Sequence, residues 1–165
     1  MRCSFGPGKG LLDLKCSVQM KPAPKLAGGY CTGDHVESKI DFEAQSLKVG
    51  DIGKILGPCP NDKLDDQKDR VRCDFGPGKG LLDMKPPTQI KPATSLAGGY
   101  FVGDRIASKI DFEGQNLKVG DIGTILEACP NTKLDDQHKR VRVEFGPGKG
   151  LVDLVAAGDV QLRPA

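Results

Sequence analysis

The chain has 165 residues, with 24 basic and 22 acidic side chains for a net charge of +2, and it carries 22 glycines and 12 prolines. So even a charge balance argues against a dedicated nucleic-acid binder, and glycine and proline interrupt every stretch before helical periodicity can run for about 10 residues. No run of about 18 apolar residues exists, so no membrane span is expected, and no charged-then-apolar leader opens the sequence.

The first recognisable element is "FGPGKGLLD" at Phe5, which returns at Phe75 and, as "FGPGKGLVD", at Phe145. A glycine-rich stretch with a lysine invites comparison with a phosphate loop. The Walker pattern needs Ser or Thr directly after the lysine, to reach magnesium. Here glycine follows Lys9, Lys79 and Lys149. A dinucleotide-binding turn must open a helix, and the next stretch, "LLDMKPPTQIKP", is broken by prolines. The residues ahead of the glycines give a better reading. In "RVRVEF", Val141, Val143 and Phe145 fall on one face, and Arg140, Arg142 and Glu144 on the other. That is the period of a half-buried strand. "LLDM" and "LVDLV" behind the glycines are again apolar. FGPGKG therefore reads as the bend of a β-hairpin, with Gly76, Gly78 and Gly80 free to take positive φ.

The hairpin belongs to a longer repeat. Residues 2–71 align with 72–141 without a gap; 21 of the 70 positions differ and 49 are identical. A third copy starts at Arg142 and covers the hairpin and a tail. Both full copies should share one fold. The natural unit runs from "GGY" to "QIKP" or "QLRP", which gives units at 28–92 and 98–164. Residues 1–22 then read as a partial repeat, the last strands of an incomplete unit. Their apolar stretch "LLDLKCSVQM" is expected to add to a sheet edge or to dock on a partner. "KPAPKLAGG" and "KPATSLAGG" are short linkers rich in Pro, Ala and Gly.

Within each unit the order is constant. "GDHVESKIDFE" or "GDRIASKIDFE" holds a first strand, with Val36, Ser38 and Ile40 alternating. After the loop "DFEAQSLKVGD" or "DFEGQNLKVGD" comes a strand punctuated by Gly53 or Gly123, where a bulge or a close backbone approach is expected. The acidic loop "PNDKLDDQKD", the hairpin and a short strand at "TQIKP" or "VQLRP" complete the unit. Five short antiparallel strands in about 65 residues predict an all-β fold, a small barrel or two packed sheets, near the lower size limit for independent folding.

No chemistry emerges along the way. His35 and His138 lie at different repeat positions, opposite Arg105 and Lys68, and read as surface residues. The six cysteines include no C-x-x-C pair, so zinc is not expected. A Cys59–Cys73 disulfide stays open in the first unit, but the second unit sets Cys129 against Val143 and cannot copy it. A reducing compartment is therefore expected, cytoplasm or an organelle. Asp62, Asp65, Asp66 and Asp69 crowd one loop, yet the calcium-loop order is absent and the second copy has Thr132 and Lys139 there. No catalytic residue, metal or cofactor is expected, and the chain does not read as an enzyme.

The features "GDRI", "VGDIGTIL", "RVRVEFGPGKG" and "DVQL", taken in that order, resemble SH3-like β-barrel families. The Mind-bomb/HERC-type domain is similar in layout, matched here by Gly103, Arg105, Phe112, Gly120, Gly123, Thr124, Val141, Val143 and Phe145. Phe112 and Phe145 stand where that family favours Trp, and Gly-Pro-Gly replaces its Asn-Gly. KOW-type modules share the "VGDIGTIL" and "RVRVEF" core, and the small SH3-like subunit of photosystem I has the same order of features. The resemblance implies tandem five-stranded SH3-like barrels joined by a short linker. It implies binding to partners, not catalysis.

Two functions are then open. The first is a tandem binding or scaffold module, a structural or accessory subunit that contacts protein partners in a larger assembly. Its contact residues are expected in the first loop, at Phe42, Gln45 and Lys48 and at Phe112, Gln115 and Lys118, together with the "KLDDQ" loop. The second is a KOW-like module that binds RNA or DNA through a basic hairpin face, at Arg70, Arg72 and Lys79 and at Arg140, Arg142 and Lys149.

Overall fold

A computed structural model of the chain describes residues 2–4, 11–13 and 23–165. The protein is all-β, and among the described residues there is no α-helix. Strands β1 (Arg2–Ser4) and β2 (Leu11–Asp13) pair with each other alone. The first five-stranded sheet comprises β3 (His35–Ser38), β4 (Ile52–Pro58), β5 (Val71–Asp74), β6 (Leu81–Met84) and β7 (Ile90–Pro92). The second sheet repeats it with β8 (Arg105–Ser108), β9 (Ile122–Ala128), β10 (Arg140–Glu144), β11 (Leu151–Val155) and β12 (Leu162–Pro164). The strand orders are β6-β5-β4-β3-β7 and β11-β10-β9-β8-β12, antiparallel throughout. The expected docking of "LLDLKCSVQM" and the side chains of Cys3 and Cys16 lie outside the described residues.

The hydrogen-bond ladder of each unit does not close into a barrel. In the first sheet β6 and β7 are its two edges, three or four residues long. Between them stand Pro86 and Pro87, which lack the N–H groups that a continuing ladder needs.

The alternation in the third strand of each unit is realised. Val71, Cys73 and Phe75 are buried, as are Val141, Val143 and Phe145, while the arginines between them look outward. The glycine in the second strand serves close approach. A Cβ on Gly53 would stand 2.7 Å from the Phe75 ring and 2.9 Å from the Asp74 carbonyl oxygen. The bulge lies three residues further on. Leu56 and Leu126 fall between paired positions, at the register shifts of β4 against β5 and β9 against β10, and both are exposed. Glycine is not needed there, since the bulged residue points to solvent.

Each sheet builds its own core. Val36, Leu47, Ile55, Val71, Cys73, Phe75, Leu82, Met84 and Ile90 form the first. Ile106, Leu117, Ile125, Val141, Val143, Phe145, Leu154 and Leu162 form the main part of the second. Cys59, Cys73 and Cys129 are buried free thiols, so the Cys59–Cys73 disulfide that the sequence allows does not form. Burial pushes the Cys73 thiol up to about 12.

Candidate partner-binding surface

In each unit the loop after the first strand folds back on itself. Phe42 and Leu47 bridge, as do Phe112 and Leu117, so the leucine enters the core and the phenylalanine stays outside. Residues Ser46 and Asn116 close the turn in the left-handed region, at φ 53° and 52°. Carboxylates then pin the loop. Asp41 Oδ1 accepts from the Val49 N–H at 2.8 Å, and Asp51 Oδ2 accepts from the Lys48 N–H at 2.7 Å. Asp111 and Asp121 do the same for Val119 and Lys118.

A lysine staples this loop to the glycine hairpin. Lys79 Nζ lies 2.7 Å from Asp51 Oδ1, and Lys149 Nζ lies 2.7 Å from Asp121 Oδ1. The bond from Lys149 holds the Asp121 carboxyl below its ordinary range. In the second unit the Gln115 amide nitrogen, in the orientation its neighbours require, also donates to the carbonyls of Lys149 and Leu151. In the first unit Gln45 is half-buried, with a buried Oε1 that has no hydrogen-bond partner among the described residues. Loop and hairpin thus form one fixed surface, and its apolar residues are exposed. Phe42, Val49 and Leu81 are 44%, 60% and 54% exposed; Phe112, Val119 and Leu151 are 45%, 61% and 49% exposed. Phenylalanine and leucine side chains held half in water by a rigid frame are the usual raw material of a contact site.

Comparison with family models, curated proteins and solved structures finds no match.

The arginines of the expected basic face lie elsewhere, each against a carboxylate. Arg72 makes two bonds to Asp83, at 2.9 and 3.0 Å, and Arg142 makes two to Asp153, at 2.8 and 3.0 Å. Arg70 grips Asp66 at 2.6 and 3.1 Å and also donates to the Asp83 carbonyl; Arg140 treats Asp136 and Asp153 alike. Lys85 adds a second cation to Asp66 at 3.0 Å. The Arg70 bond, then Lys85, holds the Asp66 carboxyl down at about 2. Arg140 likewise lowers Asp136, and Arg142 lowers Asp153.

Of the twelve residues expected to touch a partner, Phe42, Lys48, Phe112 and Lys118 are exposed on the loop. Lys118 Nζ lies 3.9 Å from Asp111. Gln45, Gln115, Lys79 and Lys149 sit half-buried beneath that surface, and Arg70, Arg72, Arg140 and Arg142 brace the hairpin. In the "KLDDQ" loop the glutamine turns inward, Gln67 Nε2 donating to the Cys59 carbonyl at 2.9 Å and Gln137 to that of Cys129 at 2.7 Å, while Lys63, Asp65, Lys133 and Asp135 are exposed. Val49 and Val119 lie within the loop the sequence pointed to but were not singled out; sequence reasoning missed Leu81, Leu151, Asp83 and Asp153. The acids carried a signal. Once FGPGKG is a hairpin bend, Asp83 falls directly across from Arg72, and Asp153 from Arg142. Among the described residues no three His, Cys, Asp or Glu side chains gather as a metal site would need.

Proposed function

We propose that the chain is a tandem pair of SH3-like units acting as a non-enzymatic protein-binding scaffold. The observation that carries this reading is the stapled surface itself: Phe42, Val49 and Leu81 in one unit, and Phe112, Val119 and Leu151 in the other, exposed on frames held by the same ion pair. Two copies of one surface on one chain favour a partner that also repeats, through effective concentration. The order of strands, with the last returning beside the first, supports the SH3-like assignment.

The alternative, nucleic-acid binding through the hairpin arginines, has less support. Arg70, Arg72, Arg140 and Arg142 each hold a carboxylate of their own unit. A phosphate would have to compete with a carboxylate already bonded to each arginine.

The test is affinity capture from native extract with the full chain and with Phe42→Ala/Phe112→Ala, nuclease-treated, at low salt and at about 300 mM. The scaffold reading expects a defined protein that survives nuclease and salt and is lost with the double variant. Recovery of nucleic acid alone, lost at the higher salt and untouched by the phenylalanine changes, would replace it with the arginine reading.

A further inference from the structure

One remaining surface is defined by what covers its twin. The first unit's face around Gly53 is capped by a turn of the second unit. There the His35 ring stacks on Phe101, with centroids 4.1 Å apart and planes at 11°. His35 Nε2 stands 3.3 Å from Asp104 Oδ1. Around this contact Ile52, Lys54 and Phe75 face Val102, Gly103 and Asp104 across a cavity of about 450 Å³.

The second unit carries the same face, 70 residues on, with Arg105, Ile122 and Glu144 exposed; Arg105 and Thr124 also border the cavity beside the first contact. Arg105, Ile122, Thr124, Glu144 and Phe145 line an open groove of about 370 Å³. The second face is the more exposed at three of these positions, while Phe75 and Phe145 are buried alike and Thr124 is less exposed than Lys54. His35, Ile52 and Asp74 are half-buried, whereas their counterparts Arg105, Ile122 and Glu144 are exposed, Ile122 to 42%.

The turn that caps the first face identifies the occupant of the second. Phe101–Asp104 is closed by the Phe101 N–H donating to Asp104 Oδ2 at 2.8 Å, with Gly103 at φ 90°. The first unit presents the same turn: the Cys31 N–H donates to Asp34 Oδ2 at 2.8 Å, with Gly33 at φ 96° and Asp34 exposed. The charges are complementary. Arg105 takes the place of His35 on the face, and Asp34 matches Asp104 on the turn, so a contact between chains sets a guanidinium against a carboxylate. We propose that the open face of the second unit binds the Cys31–Asp34 turn of a second copy of this chain, head to tail. Such an interface is heterologous, so it repeats from copy to copy and does not end at a two-fold dimer. It is weaker than the contact within the chain, because Cys31 cannot supply the ring that Phe101 stacks on His35. The proposal stands apart from the scaffold reading, which uses a different surface.

Sedimentation of the full chain up to about 1 mM, a range in which a weak contact shows, tests it. The expected result is an average mass that climbs above 17.6 kDa with concentration. Ile122→Glu and Arg105→Glu each abolish the rise, and Asp34→Arg added to Arg105→Glu restores it. Phe112→Ala, on the other surface, leaves it in place. Ile122 is exposed, so an unchanged melting curve shows that its variant is folded, and this variant decides the matter even where Asp34→Arg spoils its own turn. A monomer at every concentration, or an association that Ile122→Glu leaves intact, overturns the proposal.

Discussion

Asp66 and Asp136 occupy equivalent positions and carry different loads. Asp66 sits between Arg70 and Lys85, whereas Asp136 has Arg140 alone, because Val155 stands where Lys85 would be. A carboxylate whose folded pKa is depressed contributes stability above its unfolded pKa and loses it as pH falls through the folded one. For Asp66 that window runs from the ordinary 3.8 down to about 2. Carboxyl-detected NMR titration is therefore expected to find Asp66 protonating after Asp136 on acidification. Lys85→Val is expected to raise the Asp66 midpoint to meet its counterpart. Identical midpoints in the wild type would show that the second cation does nothing. The sequence could not display this asymmetry, since an acid-rich loop looks solvated until a strand 19 residues away delivers a lysine to it.

At the scale of the element, alternation was readable because a half-buried strand has a period of two, and "RVRVEF" keeps it without a break. The hairpin bend was readable for the same kind of reason: three glycines, all with positive φ, at one spacing. The bulge was not, because Leu56 and Leu126 carry no backbone signature. Nor was the lysine staple, which joins a loop to a hairpin about 28 residues on in sequence. Glycine in the second strand has a measurable role. Gly53→Ala pushes a methyl group into Phe75 and the Asp74 carbonyl, and overpacking of that kind costs about 1–3 kcal/mol. Gly57→Ala, four residues along the same strand, meets nothing within 4 Å. Thermal melts are expected to drop for the first and hold for the second. Equal melts would mean that the Phe75 ring moves aside freely.

For the whole molecule, the repeat was visible at once and gave the two sheets. The contact between them was not visible, because Cys31 against Phe101 and His35 against Arg105 look like drift until the chain brings His35 and Phe101 together. Separate cores imply separate losses. Ile125→Ala removes a fully buried side chain from the second core alone, at a cost of about 2–5 kcal/mol. Hydrogen exchange is expected to speed up in β8–β12 and stay slow in β3–β7; parallel acceleration in both would mean one cooperative fold. The His35–Phe101 stack also bears on how the molecule divides its time. A stacked pair contributes about 0.5–1.5 kcal/mol and a half-exposed polar contact about 0.2–1 kcal/mol, together near a factor of ten in population. Those two contacts weigh the closed arrangement against a splayed one in which the units part. His35→Ala should make the splayed form common, readable as a longer mean distance between fluorophores placed on the two sheets. On that expectation, one imidazole helps set how far apart the two apolar surfaces stand.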